Sequence, residues 1–205
     1  MKTPIIMLLA LLSLSTFAEV NLDQGAAKYL ECVACHGDQA QGNAELKAPA
    51  LSHLQPVYIV RQLQNFATGV RTGEPGSPAW QMAQAVQGWT DIFDKRSVAV
   101  AIAEFEPQQQ LQTLDGSAAN GRKNYNNLCA GCHGKNAEGK NVLHAPALAG
   151  SQDWYLLAQI KHFQSGARGS HNDDQLGAQM QAMSNLLDDA SLMDVIAYIN
   201  SLPVN

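Results

Sequence analysis

Cys-x-x-Cys-His is written twice in this chain, as Cys32-Val33-Ala34-Cys35-His36 and as Cys129-Ala130-Gly131-Cys132-His133, and the two copies use all four cysteines. The spacing sets two thiols and an imidazole within one helical turn. That is the arrangement by which c-type haem is attached: the thiols add across the two vinyl groups of the porphyrin, and the histidine turns onto the iron. The pattern predicts two covalently bound haem c groups, one on Cys32 and Cys35 with His36 as axial ligand, the other on Cys129 and Cys132 with His133. Competing readings of paired cysteines fit less well. A thioredoxin-type pair sits near alternating strands and helices, which nothing here suggests. A zinc site drawn from both pairs needs them roughly 15 to 20 residues apart, whereas about 94 separate Cys35 from Cys129. Disulfides leave the histidine after each pair without a role.

The duplication extends well beyond the motif. Residues 32–71 laid over 129–168 at a constant offset of 97 share 17 identities in 40 positions, with no gap. They include Ala48-Pro49-Ala50-Leu51 with Ala145-Pro146-Ala147-Leu148, Tyr58 with Tyr155, Phe66 with Phe163, Gly69 with Gly166 and Arg71 with Arg168. Two domains of one design follow, expected over 19–106 and 118–205, with the polar, breaker-rich stretch 107–117 as linker. Residues 1–18 combine Lys2, an apolar run over 5–12 and the ending Thr16-Phe17-Ala18, the pattern of a secretory signal peptide. Its apolar core is too short to span a bilayer, and no later segment approaches that length. With a formal net charge of -5 and no basic stripe, nucleic acid is an unsuitable partner. The mature protein is expected to be soluble, or at most peripheral to a membrane.

Each half reads as helical, and no stretch alternates with period two for long enough to form a strand. Opening helices are expected over 22–35 and 118–132, carrying Gly25 with Tyr29 and Gly121 with Tyr125, a small residue and an aromatic that let another helix cross closely. A middle helix starts after Gln55 with Pro56 in its first turn; its twin takes Ser151 as N-cap. Closing helices are expected over 95–106 and 189–202. The loop between the middle and closing helices must supply whatever faces the ligating histidine. Between Arg71 and Lys95 the only methionine is Met82; in the second half Met180 is its counterpart after a one-residue insertion, with Met183 and His171 as alternatives. A thioether is a neutral, soft ligand that raises the reduction potential. His53, His144 and His162 read as surface or packing residues. Arg71 and Arg168 suit either haem propionates or open solvent.

With these motifs in view, the chain resembles the dihaem cytochrome c4 family of class I c-type cytochromes, and the likeness covers essentially all of it after the signal peptide. The carriers of the resemblance are the tandem Cys-x-x-Cys-His, the repeated Ala-Pro-Ala-Leu, a Tyr-containing helix ending Phe-x-x-Gly-x-Arg, a ligand methionine, and a closing helix ending Ile-Ala-Glu-Phe or Ile-Ala-Tyr-Ile. The resemblance implies an all-α fold of two tandem class I cytochrome c domains related by internal duplication. It implies iron ligated by His36 and Met82, and by His133 and Met180. The carbonyls of Pro49 and Pro146 would receive the ring N–H of the two histidines. It also implies a monomeric periplasmic one-electron carrier, passing electrons from a quinol-oxidising complex toward a terminal oxidase or reductase, with redox proteins as partners and no catalytic residues of its own. The first copy departs from the pattern: it has Leu51-Ser52-His53-Leu54 where the second keeps Leu148-Ala149-Gly150, it places Glu104 where an aromatic is usual, and its Met-containing loop needs about four extra residues before the closing helix. A small dihaem redox enzyme or enzyme subunit, for instance in inorganic sulfur oxidation, is the competing reading. That reading needs an open or non-methionine sixth position on one haem.

Overall fold

The computed structural model describes residues 20–204, so the signal peptide expected over 1–18 lies outside the described residues. The first half comprises α1 (Leu22–Tyr29), α2 (Val33–His36), α3 (Pro56–Ala67), α4 (Pro78–Ala85) and α5 (Ile92–Ile102); the second comprises α6 (Ala118–Asn124), α7 (Ala130–His133), α8 (Asp153–Gln164), α9 (Gln175–Ser184) and α10 (Asp189–Ser201). Among the described residues the only β pairing is an isolated bridge in each half, Asn43 with Ala48 and Lys140 with Ala145. Each half closes on its own apolar core. Tyr29, Ile59, Leu63, Phe66, Val98 and Ile102 build the first; Tyr125, Leu156, Leu192, Val195, Ile196 and Ile199 build the second.

Of the two opening helices expected, the second runs unbroken over 118–133 and the first is interrupted by a turn at 30–32. α1 stops at Tyr29 and a separate turn of helix, α2, carries the motif. In the second half a π-helical stretch, Tyr125–Cys129, joins α6 to α7. The cause is one residue: Tyr29 precedes Cys32 by three positions, Tyr125 precedes Cys129 by four. A π-bulge absorbs the extra residue within the helix, and the tyrosine returns to the same place. Tyr29 Oη donates to the Gly37 carbonyl at 2.6 Å and Tyr125 Oη to that of Gly134 at 2.7 Å.

The glycines do let helices cross. α1 packs on α5 and α6 on α10; a Cβ on Gly25 would stand 2.0 Å from Ser97 O, and one on Gly121 would stand 1.9 Å from Asp194 O. The entry to each opening helix is tied to the same partner, Asn21 N to Ser97 Oγ and Ser117 N to Asp194 Oδ1.

Three boundaries differ from expectation. α5 begins at Ile92 under an Asp91 cap, which matches the Asp188 cap of α10 at the same offset of 97, so the four extra loop residues are not needed. α8 takes Gln152, not Ser151, as its N-cap residue, the counterpart of Gln55 ahead of α3 at the offset of 97, and the Ser151 hydroxyl pairs with His53. The methionine segments are helices, α4 and α9, and not loops. Their start signals are local: Ser77 Oγ caps Trp80 N ahead of Pro78 at the first turn, and Asp174 Oδ1 caps Gly177 N. The stretch expected as linker carries no helix, and Asp153 holds part of it by accepting from the Thr113 and Leu114 N–H groups and the Thr113 hydroxyl.

Candidate haem-binding sites

Each motif occupies one helical turn that ends in a glycine of positive φ, Gly37 at 82° and Gly134 at 85°. The chain then loops back through the isolated bridge to Pro49 or Pro146. The loop return decides the state of the histidine: His36 Nδ1 lies 2.8 Å from Pro49 O, and His133 Nδ1 lies 2.8 Å from Pro146 O. A carbonyl only accepts, so Nδ1 carries the proton and Nε2 is left with its lone pair, the form that binds a metal. Both rings are buried, and burial lowers both pKa values, which favours the same neutral form. The thiols divide in the same way in each half. Cys32 and Cys129 face inward, with burial raising each thiol to about 11, while Cys35 and Cys132 are exposed. One inner thiol, one outer thiol and a preset imidazole on a single turn fit a planar macrocycle slotted edge-on into the surface. The two cysteine pairs stay apart, and among the described residues no three His, Cys, Asp or Glu side chains converge in a cluster suited to a metal ion.

Met82 lies on α4 and packs against the first core, as does Trp89. α4 and α9 are capped at positions 97 apart, yet the residues downstream follow a spacing of 98, the buried Val86 with Ser184 and the partly buried Trp89 with Leu187. One extra residue in α9 therefore puts Met180, partly buried, in the place of Met82. Met183 is 37% exposed, and His171 is exposed, its Nδ1 accepting from Asp173 N.

The two halves meet across a pseudo-twofold seam. Gln55 Nε2 donates to Glu138 O and its Oε1 accepts from Ala147 N; Gln152 Nε2 donates to Gln41 O and its Oε1 accepts from Ala50 N. Every one of these contacts is reproduced by the offset of 97. Arg71 and Arg168, only 7% and 9% exposed, lie at the centre. Arg71 donates to Gln62, Gln159 and Tyr155, and Arg168 to Gln159 and Gln62. Burial lowers the Arg168 pKa, and the charge of Arg71 lowers it further. Neither arginine pairs with a carboxylate among the described residues, and the Nε of each is buried without a partner. Two desolvated cations without an anion form a cradle that carboxylates would complete. The solvated alternative for these arginines is excluded. Sequence reasoning passed over Gln55, Gln152, Gln62 and Gln159; the signal was present, since both glutamine pairs are among the identities of the repeat.

A family model for cytochrome c matches residues 118–203. A cytochrome c4 from Azotobacter vinelandii is 26% identical, the match spanning 98% of this chain and 100% of that protein. A thiosulfate dehydrogenase electron acceptor from Thiomonas intermedia is 27% identical over 85% of this chain and 79% of its own length. Among solved structures, reduced recombinant cytochrome c4 from Pseudomonas stutzeri shares the fold, with a TM-score of 0.71 at 21% identity over 90% of this chain and 100% of that one.

Proposed function

The chain belongs to the dihaem cytochrome c4 family, and from that premise we propose that this dihaem electron carrier works in the periplasm, taking electrons from a quinol-oxidising respiratory complex and passing them toward a terminal oxidase or reductase. Covalently bound haem c, when present, supplies an iron that gains and loses one electron. The protein's own part is to hold that iron in one coordination state so that little reorganises. Cys32, Cys35, Cys129 and Cys132 tether the rings. His36 and His133, oriented by the proline carbonyls, would ligate the irons through Nε2, and Met82 and Met180 would supply the thioether ligands. Arg71 and Arg168 take the propionates. The observation that carries this reading is the repetition of the whole constellation, preset histidine and helix-borne methionine, in two halves locked by a reciprocal seam. We place the domains at 19–106 and 118–205 with 107–117 between; the two separate cores support that division. Among the described residues no helix is long and apolar enough to cross a membrane.

The ferric absorption spectrum in the far red tests the ligand set, because iron–thioether ligation gives a weak charge-transfer band there. Intensity for two haems is expected; intensity for one would withdraw methionine from one site and no intensity would withdraw it from both, and either result would give the enzyme reading the lead. The relative from Thiomonas intermedia favours a second assignment, as acceptor of electrons from a thiosulfate-oxidising enzyme. On that assignment thiosulfate reduces the protein only when such an enzyme is added.

A further inference from the structure

The carbonyl that closes each methionine segment is held in both halves, by a lysine in one and by a neutral amide in the other. In the first half Lys95 Nζ, from α5, donates to Trp89 O. In the second, Gln164 Nε2, from α8, donates to Leu187 O at 3.1 Å and to Ser184 O at 2.9 Å. Trp89 and Leu187 are counterparts at the spacing of 98, as are Val86 and Ser184. The donors have exchanged places between the repeats: at the offset of 97, Lys95 stands opposite Leu192 and Gln164 opposite Ala67. Lys95 and Leu192 are both fully buried, so an ammonium and an apolar side chain occupy matching slots.

A carbonyl needs only a donor, and Gln164 supplies one without the desolvation cost of a charge. The charge in the first half therefore exceeds what holding the segment requires. It is also unpaired. Among the described residues no ion pair includes Lys95. The nearby carboxylates are engaged elsewhere: Asp91 Oδ1 accepts from Phe93 N, and Asp94 takes Lys28 and Gln24. Burial lowers the Lys95 pKa against the pull of Asp91 and Asp94. The backbone links this group to the methionine, since Trp89 N donates to Val86 O at 3.1 Å and Val86 N to Met82 O at 3.2 Å. An electron arriving at an iron site lowers the charge there by one, and a cation fixed in the interior, where salt screens it little, favours that state.

We propose that Lys95 is a positioning residue of the first haem site: it anchors the end of the segment that carries Met82, and its buried charge makes that site hold its electron more tightly than a neutral donor would. The proposal rests on the ligand set of the carrier reading and adds to it what sets the affinity of one haem for its electron.

The test is a redox titration of the holoprotein with the two haems followed separately, each ferrous haem recognised by the ring-current-shifted methyl resonance of its own methionine, which Met82→Leu or Met180→Leu removes. Lys95→Met removes charge and donor together. Lys95→Leu with Ala67→Gln removes the charge and installs the neutral donor of the second half. Both should weaken the first haem's hold on its electron about tenfold, which is about 59 mV for one electron, and leave the second haem unchanged. The paired variant should also keep the far-red intensity for two haems. A first-haem potential restored to its original value in the paired variant would show that Lys95 serves only as a hydrogen-bond donor, and would overturn the proposal. No shift in either variant, or an equal shift at both haems, would overturn it too. The reciprocal exchange, Gln164→Ala with Leu192→Lys, should raise the second haem's potential by a similar factor; an unchanged or lowered value there would overturn the proposal even where the first-half variants do not fold. The far-red spectrum of the unaltered protein tests the ligand set alone, so failure of the Lys95 assignment is distinguishable from failure of the carrier reading.

Discussion

His53 shows how one substitution between repeats changes the chemistry at a seam. Its counterpart by offset is Gly150, and the two positions touch: a Cβ on Gly150, whose φ is 91°, would stand 2.6 Å from His53 Cβ. His53 Nε2 pairs with Ser151 Oγ at 2.8 Å, Nδ1 is buried without a partner, and burial brings the pKa down to about 3. An imidazole that is neutral in the folded state takes up a proton on unfolding between its folded value and its ordinary value of about 6.5. The stability it leaves intact above that upper limit is lost as pH falls toward the lower. Between pH 7 and pH 5 the cost should be on the order of 2 kcal/mol, read from urea unfolding at each pH. His53→Gln should flatten that part of the profile; a variant curve parallel to the original would show that His53 is not the titrating group. The methionines give a second residue-scale expectation. Met180→Leu should remove half of the far-red intensity and Met183→Leu none, and the reverse result would reassign the ligand.

At the scale of elements, the opening and closing helices of each half cross at a glycine because the backbones leave no room for a side chain. In Gly121→Ala the new Cβ must be accommodated against Asp194 O, a backbone atom that cannot rotate away, and the helices must separate. We expect a loss of about 3 kcal/mol in chemical denaturation, with the equivalent Gly25→Ala costing a similar amount in the first half. A loss below about 1 kcal/mol would mean that the crossing is looser than the contact indicates. The π-helical stretch Tyr125–Cys129 belongs at this scale too. It lets a longer spacer deliver Tyr125 to the Gly134 carbonyl as Tyr29 reaches Gly37.

For the whole molecule, the reciprocal glutamines matter more than their number, since each satisfies one N–H and one carbonyl of the other half's haem-side loop. Replacing both, Gln55→Ala with Gln152→Ala, removes four hydrogen bonds and leaves the Ala50 and Ala147 N–H groups without acceptors. At about 1 kcal/mol each that loss should uncouple the halves. Calorimetry would then show two transitions in place of one; a single transition with matching calorimetric and van't Hoff enthalpies in the double variant would place the coupling elsewhere, most directly in the buried Arg71 and Arg168.

The covalent haem attachment, the histidines held by the proline carbonyls and the duplication were legible in the residues alone, because attachment needs its groups within one turn and a repeat is a property of the string. The crossings at Gly25 and Gly121 were legible for a related reason: a small residue and an aromatic on one helix face have few other uses. The sequence reading missed α4 and α9 because each is short and only weakly periodic, so its local caps had to be weighed against a loop. Tertiary structure alone decided the rest. Gln55 meets Ala147, Arg71 meets Gln159 and His53 meets Ser151 across about a hundred residues of chain, and such contacts depend on how two finished surfaces fit, which no local spacing encodes.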